Sequence, residues 1–157
     1  MLTTRPACLD DAPFLLEVYP STRQDEVAAW GWSPEQQNAF LQMQFMAQNR
    51  SYEMRFPDLA QRVIVQDGRL AGRLIAAQTG DEVRLVDIAL LPEFRGTGIG
   101  ATLIRELQAQ AERVGKPLGL QVAKANPARR LYERLGFVVI GETDLHYAME
   151  WRPAGSR

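Results

Sequence analysis

One cysteine and one histidine are all that this 157-residue chain has of either. Cys8 therefore has no partner for an intrachain disulfide, and Cys8 with His146 falls short of the ligands a zinc site needs. No metal centre is expected. Charge of one sign is missing as well: 18 Lys and Arg stand against 19 Asp and Glu. No global field then favours a nucleic acid or an anionic membrane. Apolar runs are short, none nearing the roughly 20 residues of a spanning helix. Met1 to Asp11 carries Arg5, Pro6, Asp10 and Asp11 where a secretion signal needs an apolar stretch. These absences lead to the expectation of a cytoplasmic chain with no nucleic-acid and no membrane partner. With 46% hydrophobic and 24% charged residues, the chain can bury a real core, and one domain over residues 1–152 with a tail at 153–157 is expected.

Local patterns divide the chain between strands and helices. Leu2 to Cys8 suits an edge strand, because Pro6 removes a ladder donor. Asp10 is placed to cap a helix with Phe14, Leu15, Val18 and Tyr19 on one face, ended by Pro20. Ser33-Pro34-Glu35-Gln36 combines a Ser cap, Pro in the first turn and a capping Gln. The helix that follows has Phe40, Leu41, Met43, Met46 and Ala47 as its apolar side and is expected to run to about Arg50. From Arg62 the period shortens to that of strands, with a hairpin turn at Asp67-Gly68 and a second turn at Thr79-Gly80-Asp81. Val83 to Leu90 should be a central strand, stopped by Pro92. Ile99, Leu103, Leu107, Ala111 and Val114 mark a helix with a buried stripe, closed by Gly115 and Pro117. Then come a strand over Leu118 to Ala123, a short helix begun by Asn126-Pro127, a strand from Phe137 to Ile140 and a last one from Tyr147 to Trp151.

Between the central strand and the amphipathic helix lies Arg95-Gly96-Thr97-Gly98-Ile99-Gly100-Ala101. The first N–H groups of a helix lack intrahelical partners and sit at its positive end, and glycine lets an anion approach them. Arg95 adds a permanent cation with forked donors. A pyrophosphate fits such a turn. Gly96, Gly98 and Ala101 also meet the loose dinucleotide pattern, but the strands before the turn are hairpin-linked, and the next strand ends in Ala123-Lys124 without the ribose acid. A triphosphate loop needs Lys-Ser/Thr after its last glycine, where this chain has Ala101-Thr102. An ordinary tight turn without a ligand is the bland alternative.

These residues resemble the GNAT superfamily of acyl-CoA N-acyltransferases. Arg95, Gly98 and Gly100 meet the pattern Q/R-x-x-G-x-G/A, preceded by Ile88 to Phe94 like the family's central strand and turn. Asn126 to Phe137 is similar to its second signature, N-x-x-A-x-x-L-Y-x-x-x-G-F. The resemblance implies an α/β (α+β) fold: a mixed, mainly antiparallel, splayed sheet flanked by about four helices. It implies acetyl-CoA as co-substrate and direct transfer of the acetyl group to a primary amine in a ternary complex, with no metal. Backbone groups of Leu90 and Leu91 would hold the pantetheine chain, the Leu90 N–H polarising the thioester carbonyl. Arg95, Gly96, Thr97, Gly98, Ile99, Gly100 and Ala101 would hold the pyrophosphate, Asn126 would contact pantetheine, and Tyr132 would face the sulfur. Arg129, with Arg130, would meet the 3′-phosphate. Residues 20–60 match least, and in this family that part shapes the acceptor site.

Some residues carry two readings each. Asp87, on the central strand, either handles the incoming ammonium or sits in an ion pair. Tyr132 is a general acid or a core aromatic. Cys8 reads as a small buried hydrophobe rather than a nucleophile, and His146 as solvent-exposed or structural rather than a base. Trp30, Trp32, Tyr52 and Phe56 would wall an acceptor pocket or simply pack, and Asp25 and Glu26 would draw a cation or sit in solvent. An N-acetyltransferase is the leading expectation, and a non-catalytic acyl-CoA-binding module of the same fold is the alternative. The acceptor's identity and a homodimer stay open.

Overall fold

The computed structural model describes residues 1–18 and 31–154. Its strands are β1 (Leu2–Pro6), β2 (Ala60–Gln66), β3 (Arg69–Gln78), β4 (Val83–Leu90), β5 (Leu118–Ala123), β6 (Val138–Glu142) and β7 (His146–Trp151). They form one sheet in the order β1-β2-β3-β4-β5-β7-β6. The β1–β2, β5–β7 and β6–β7 ladders are antiparallel, and β4–β5 is parallel. The helices are α1 (residues 12–18), α2 (Pro34–Arg55), α3 (Ile99–Val114) and α4 (Ala128–Arg134). This is the mixed, mainly antiparallel architecture expected, with β4 central. The paired residues of β4 and β5 run from Val83↔Leu118 to Leu85↔Leu120, while β4 itself continues to Leu90. The chain divides into two compact units, Met1–Ile75 with Asp87–Gly96, and Ala76–Val86 with Thr97–Arg157.

In the first unit the β2–β3 hairpin turns on Asp67 (φ 51°) and Gly68 (φ 78°). Both lie in the left-handed region that a two-residue hairpin requires. Leu15, Leu41, Phe45 and Val63 form a buried cluster flanked by Phe14, Phe40 and Val65. The α2 start is as expected: Gln36 N donates to Ser33 Oγ at 3.2 Å and Ser33 N to Gln36 Oε1 at 3.0 Å. Nothing breaks the helix before Pro57, so it outlasts the expected end at Arg50 and runs to Arg55. Its inner face also differs from the apolar side anticipated. Met43 and Met46 are each 66% exposed, and the buried line runs from Leu41 through Phe45 to the half-buried Gln48 and Asn49.

β1 ends at Pro6, which puts Cys8 beyond the strand and on the surface rather than in the core. Asp10 is exposed and is not the cap. The acid that matters is its neighbour Asp11, 5% exposed, which accepts the Cys8 N–H at 2.8 Å and closes the short helical turn Leu9–Asp11. Arg5 grips the same carboxylate with both nitrogens of its fork, Nη1–Oδ2 at 2.8 Å and Nη2–Oδ1 at 2.7 Å.

In the second unit α3 buries Ile99, Leu103, Ile104, Leu107 and Ala111 and packs on β5. Gly115, at φ 68°, ends it in the left-handed conformation. β7 lies between β5 and β6, pairing Leu120 with Met149 on one side and Val139 with the same Met149 on the other. That leaves β6 as an edge whose Val138, Val139 and Ile140 are exposed, with an irregularity between Val139 and Gly141.

The Arg5 hydrogen bonds, followed by the Cys8 N–H, hold the Asp11 carboxyl well below the usual carboxylate range. A carboxylate whose folded pKa is depressed stabilises the fold above its unfolded pKa, about 3.9, and loses that contribution as the pH falls below it. Asp11→Asn should therefore lower the melting temperature at pH 7. The gap between the two proteins should close as the pH is taken from about 5 towards 2, and a gap that stays constant over that range would show that the charge is irrelevant.

Candidate active site

The Gly-rich turn is built as an anion would need it. Gly98 is the N-cap of α3 with φ 86° and ψ 0°, no side chain caps the helix, and no acidic residue occupies its first turn. Gly96 shares the left-handed conformation at φ 71°. A Cβ on either glycine would meet nothing within 4 Å, so backbone conformation is what requires glycine here. The first intrahelical bond is Thr102 N to Gly98 O at 3.1 Å, and the Thr102 hydroxyl donates to the same carbonyl at 3.0 Å. The N–H groups of Ile99, Gly100 and Ala101 precede that bond, at the positive end of a 16-residue helix. Ile99 itself is buried, and Gly96, Thr97 and Gly98 are exposed.

The end of β4 carries the residues expected to hold a thioester. The Leu90 carbonyl accepts from Arg95 Nε at 3.1 Å, so part of the Arg95 fork ties down the strand end. Both backbone groups of Leu91 are used within the fold: its N–H donates to Ala71 O at 2.8 Å, and its carbonyl accepts from Phe94 N at 3.0 Å. The approach of β3 here is close. A Cβ at Gly72 would lie 2.0 Å from the Ala89 carbonyl oxygen and 3.0 Å from Leu90 Cα, a position no other residue can take without moving β4. The sequence reading missed Gly72, although a lone glycine inside a strand signals a close backbone approach.

Asp87, the candidate base, is in an ion pair. Its Oδ2 lies 2.5 Å from Nη2 of Arg73, whose side chain is 2% exposed while that of Asp87 is 22% exposed. Arg73 also donates to Gln48 Oε1 at 2.7 Å and to Asn49 Oδ1 at 3.3 Å, and its guanidinium lies 5.3 Å from the centre of the Phe45 ring. Its Nε has no acceptor among the described residues. Deleting one partner of such a pair leaves a buried charge uncompensated, at a cost on the order of 3–5 kcal/mol. The sequence reading missed Arg73 as well. Its signal was a single charge inside the otherwise apolar stretch from Leu70 to Ala77.

In the second unit, Asn126 Oδ1 accepts the Ala128 N–H at 2.9 Å at the start of α4, so that oxygen has a local task. Arg129 Nε is 2.6 Å from Glu133 Oε1, and its guanidinium stacks 4.3 Å from the Tyr147 ring centre. Tyr132 is buried, with its ring 5.8 Å from that of Phe137. His146 lies in β7, paired with Ala123. Trp32 packs edge-on against Phe40 at 5.3 Å, and Phe56 lies beneath Arg55. Trp30, Asp25, Glu26, Tyr19 and Pro20 lie outside the described residues. Among the described residues no three His, Cys, Asp or Glu side chains cluster as metal ligands, and no helix is long and apolar enough to cross a membrane.

Residues 60–139, just over half of the chain, match the model of the acetyltransferase (GNAT) domain. The [ribosomal protein bS18]-alanine N-acetyltransferase of Haemophilus influenzae is 34% identical over 95 residues, 60% of this chain and 63% of that protein. Its namesake in Escherichia coli K12 is 36% identical over 76 residues, 47% of this chain and 51% of that protein. The chain thus spans between half and 63% of the length of these curated relatives. Among solved structures, the PaiA N-acetyltransferase of Thermoplasma acidophilum in complex with coenzyme A superimposes with a TM-score of 0.72 at 20% identity, covering 98% of this chain and 99% of that one. The E. coli ribosomal-protein-S18-alanine N-acetyltransferase gives 0.61 at 21% identity, covering 97% and 94%. At such identities these likenesses speak to the fold, and together with the family match they show that the chain belongs to the GNAT acetyltransferases.

Proposed function

We propose that this chain is an acetyl-CoA-dependent N-acetyltransferase acting in the cytoplasm, and that its acceptor is the N-terminal α-amine of a protein that begins with alanine. The observation that carries the first part is the start of α3: left-handed glycines, a helix end with no side-chain cap and no acid, and Arg95 beside it. That combination suits a pyrophosphate held by backbone N–H groups. What supports alanine is the name of the relatives that are 34% and 36% identical.

In this reading the N–H groups from Gly96 to Ala101 and Arg95 hold the pyrophosphate, Asn126 contacts pantetheine, and Arg129 meets the 3′-phosphate; the Leu91 N–H, already given to the Ala71 carbonyl, is not available to pantetheine. The Leu90 N–H stabilises the oxyanion formed when the neutral amine attacks the thioester carbonyl. Asp87 holds the amine. Tyr132 gives its proton to the departing thiolate as the C–S bond breaks, and the proton lost from nitrogen passes to solvent, from which Tyr132 is reprotonated. The products are an N-acetyl amide and free coenzyme A. Holding amine and thioester together supplies most of the remaining acceleration.

The direct test is thiol release from acetyl-CoA by the full chain over a panel of amines. Peptides that begin with alanine should react, and the same peptides with a blocked N-terminus should not. Binding of coenzyme A with no thiol release from any amine would make the chain a binding module instead.

Gly98→Asp places a side chain where φ is 86° and a negative charge where the pyrophosphate should lie. Calorimetric titration should find no measurable affinity for coenzyme A, and an affinity equal to the wild type would remove the turn from the site. Tyr132→Phe keeps the packing against Phe137 and removes only the hydroxyl. Turnover at saturating acetyl-CoA should fall about 10²-fold, the low end for loss of a general acid, because a thiolate leaves tolerably without help. Coenzyme affinity and melting temperature should not change. Equal turnover would show that the phenol is not the acid.

A further inference from the structure

We infer that Arg73 is a positioning residue for the acceptor amine, acting through Asp87 and linking that carboxylate to helix α2. The inference rests on the N-acetyltransferase reading. Its starting point is the asymmetry of the pair: Arg73 is sealed inside the fold at 2% side-chain exposure, whereas Asp87 keeps 22%. A guanidinium cannot shed its proton, so the interior must supply its counter-charge. Asp87 does so with Oδ2, while Gln48 and Asn49 on α2 supply neutral acceptors.

The arrangement is a poor device for stability alone. Arg73 Nε stays without an acceptor among the described residues, and buried ion pairs seldom outperform apolar residues of the same volume. As a means of fixing a carboxylate it is effective. Two of the three groups that fix the guanidinium come from one turn of α2, so the position of Asp87 follows that helix. The exposed part of the carboxylate is then left to accept an N–H from an incoming amine.

The pair also carries no net charge. An unpaired carboxylate would favour the ammonium form, which cannot attack a thioester; a neutralised one favours it much less. Such a site suits an amine that is substantially neutral near pH 8. A peptide α-amine, with a reference pKa of about 7.7–8.0, meets that condition, and a lysine ε-amine at about 10.4 does not. Arg73 thereby contributes to the choice of α-amine over ε-amine.

The test uses the full chain, acetyl-CoA, a peptide with a free N-terminal alanine, and an N-terminally blocked peptide containing lysine. Arg73→Lys keeps the charge and loses the fork; Gln48→Ala removes one support of the fork without touching the ion pair and keeps the question open if the lysine variant does not fold. Arg73→Lys should raise KM for the alanine peptide about 10-fold, and Gln48→Ala by a smaller factor, with coenzyme A affinity within about twofold of wild type. Asp87→Asn should raise the same KM, and adding Arg73→Lys to it should raise KM no further, as expected of residues that act as one unit. Unchanged KM in the folded Arg73 or Gln48 variants, or fully multiplicative effects of Arg73→Lys and Asp87→Asn, would overturn the inference while leaving the acetyltransferase reading intact. Failure of the wild type to acetylate either peptide would sink that reading, and this inference with it.

Discussion

A permanent positive charge in a place that water does not reach is the constraint around which the first unit is organised. Arg73 stands on β3 at 1% exposure, and among the described residues its guanidinium is offset by a carboxylate from β4, two carboxamides from α2 and the face of Phe45. This explains a feature of α2 that amphipathic patterning does not. Its inner line begins apolar at Leu41 and Phe45 and turns polar at Gln48 and Asn49, because the neighbour at that level is a cation. The apolar residues Met43 and Met46 are left on the outside.

The residue before Arg73 on β3 imposes a constraint of the opposite kind. Gly72 contributes by having no side chain, since a single methyl there would overlap the Ala89 carbonyl. Two adjacent positions thus determine how β4 is held, one through charge and one through the absence of volume. Leu90 and Asp87 lie on the stretch of β4 so constrained, and Arg95 adds a hydrogen bond to the Leu90 carbonyl.

Much of this fold can be read from residues alone where the cause is local. The Asp67-Gly68 hairpin, the Ser33 capping box, the buried stripe of α3 and its end at Gly115 each follow from backbone preferences or from a period of 3.6. The glycine turn is legible for the same reason, since its positive φ values and helix start are properties of a few consecutive residues. Less legible is whatever depends on partners distant in sequence. Asp11 rather than Asp10 closes the first helical turn, because Arg5 is placed to share its carboxylate. β7 enters between β5 and β6, an order that no strand signal encodes. Arg73 looks like an interruption in an apolar strand until its acceptors, 14 to 25 residues away, are assembled around it.

The two edge strands are unlike, and the difference bears on what each can pair with. β1, at one end, terminates in Pro6, which has no N–H to offer. β6, at the other, has three exposed apolar residues in succession and no proline or lysine in the strand. An edge of β6's composition favours contact with a further strand, whereas the last position of β1 has no N–H to give to one.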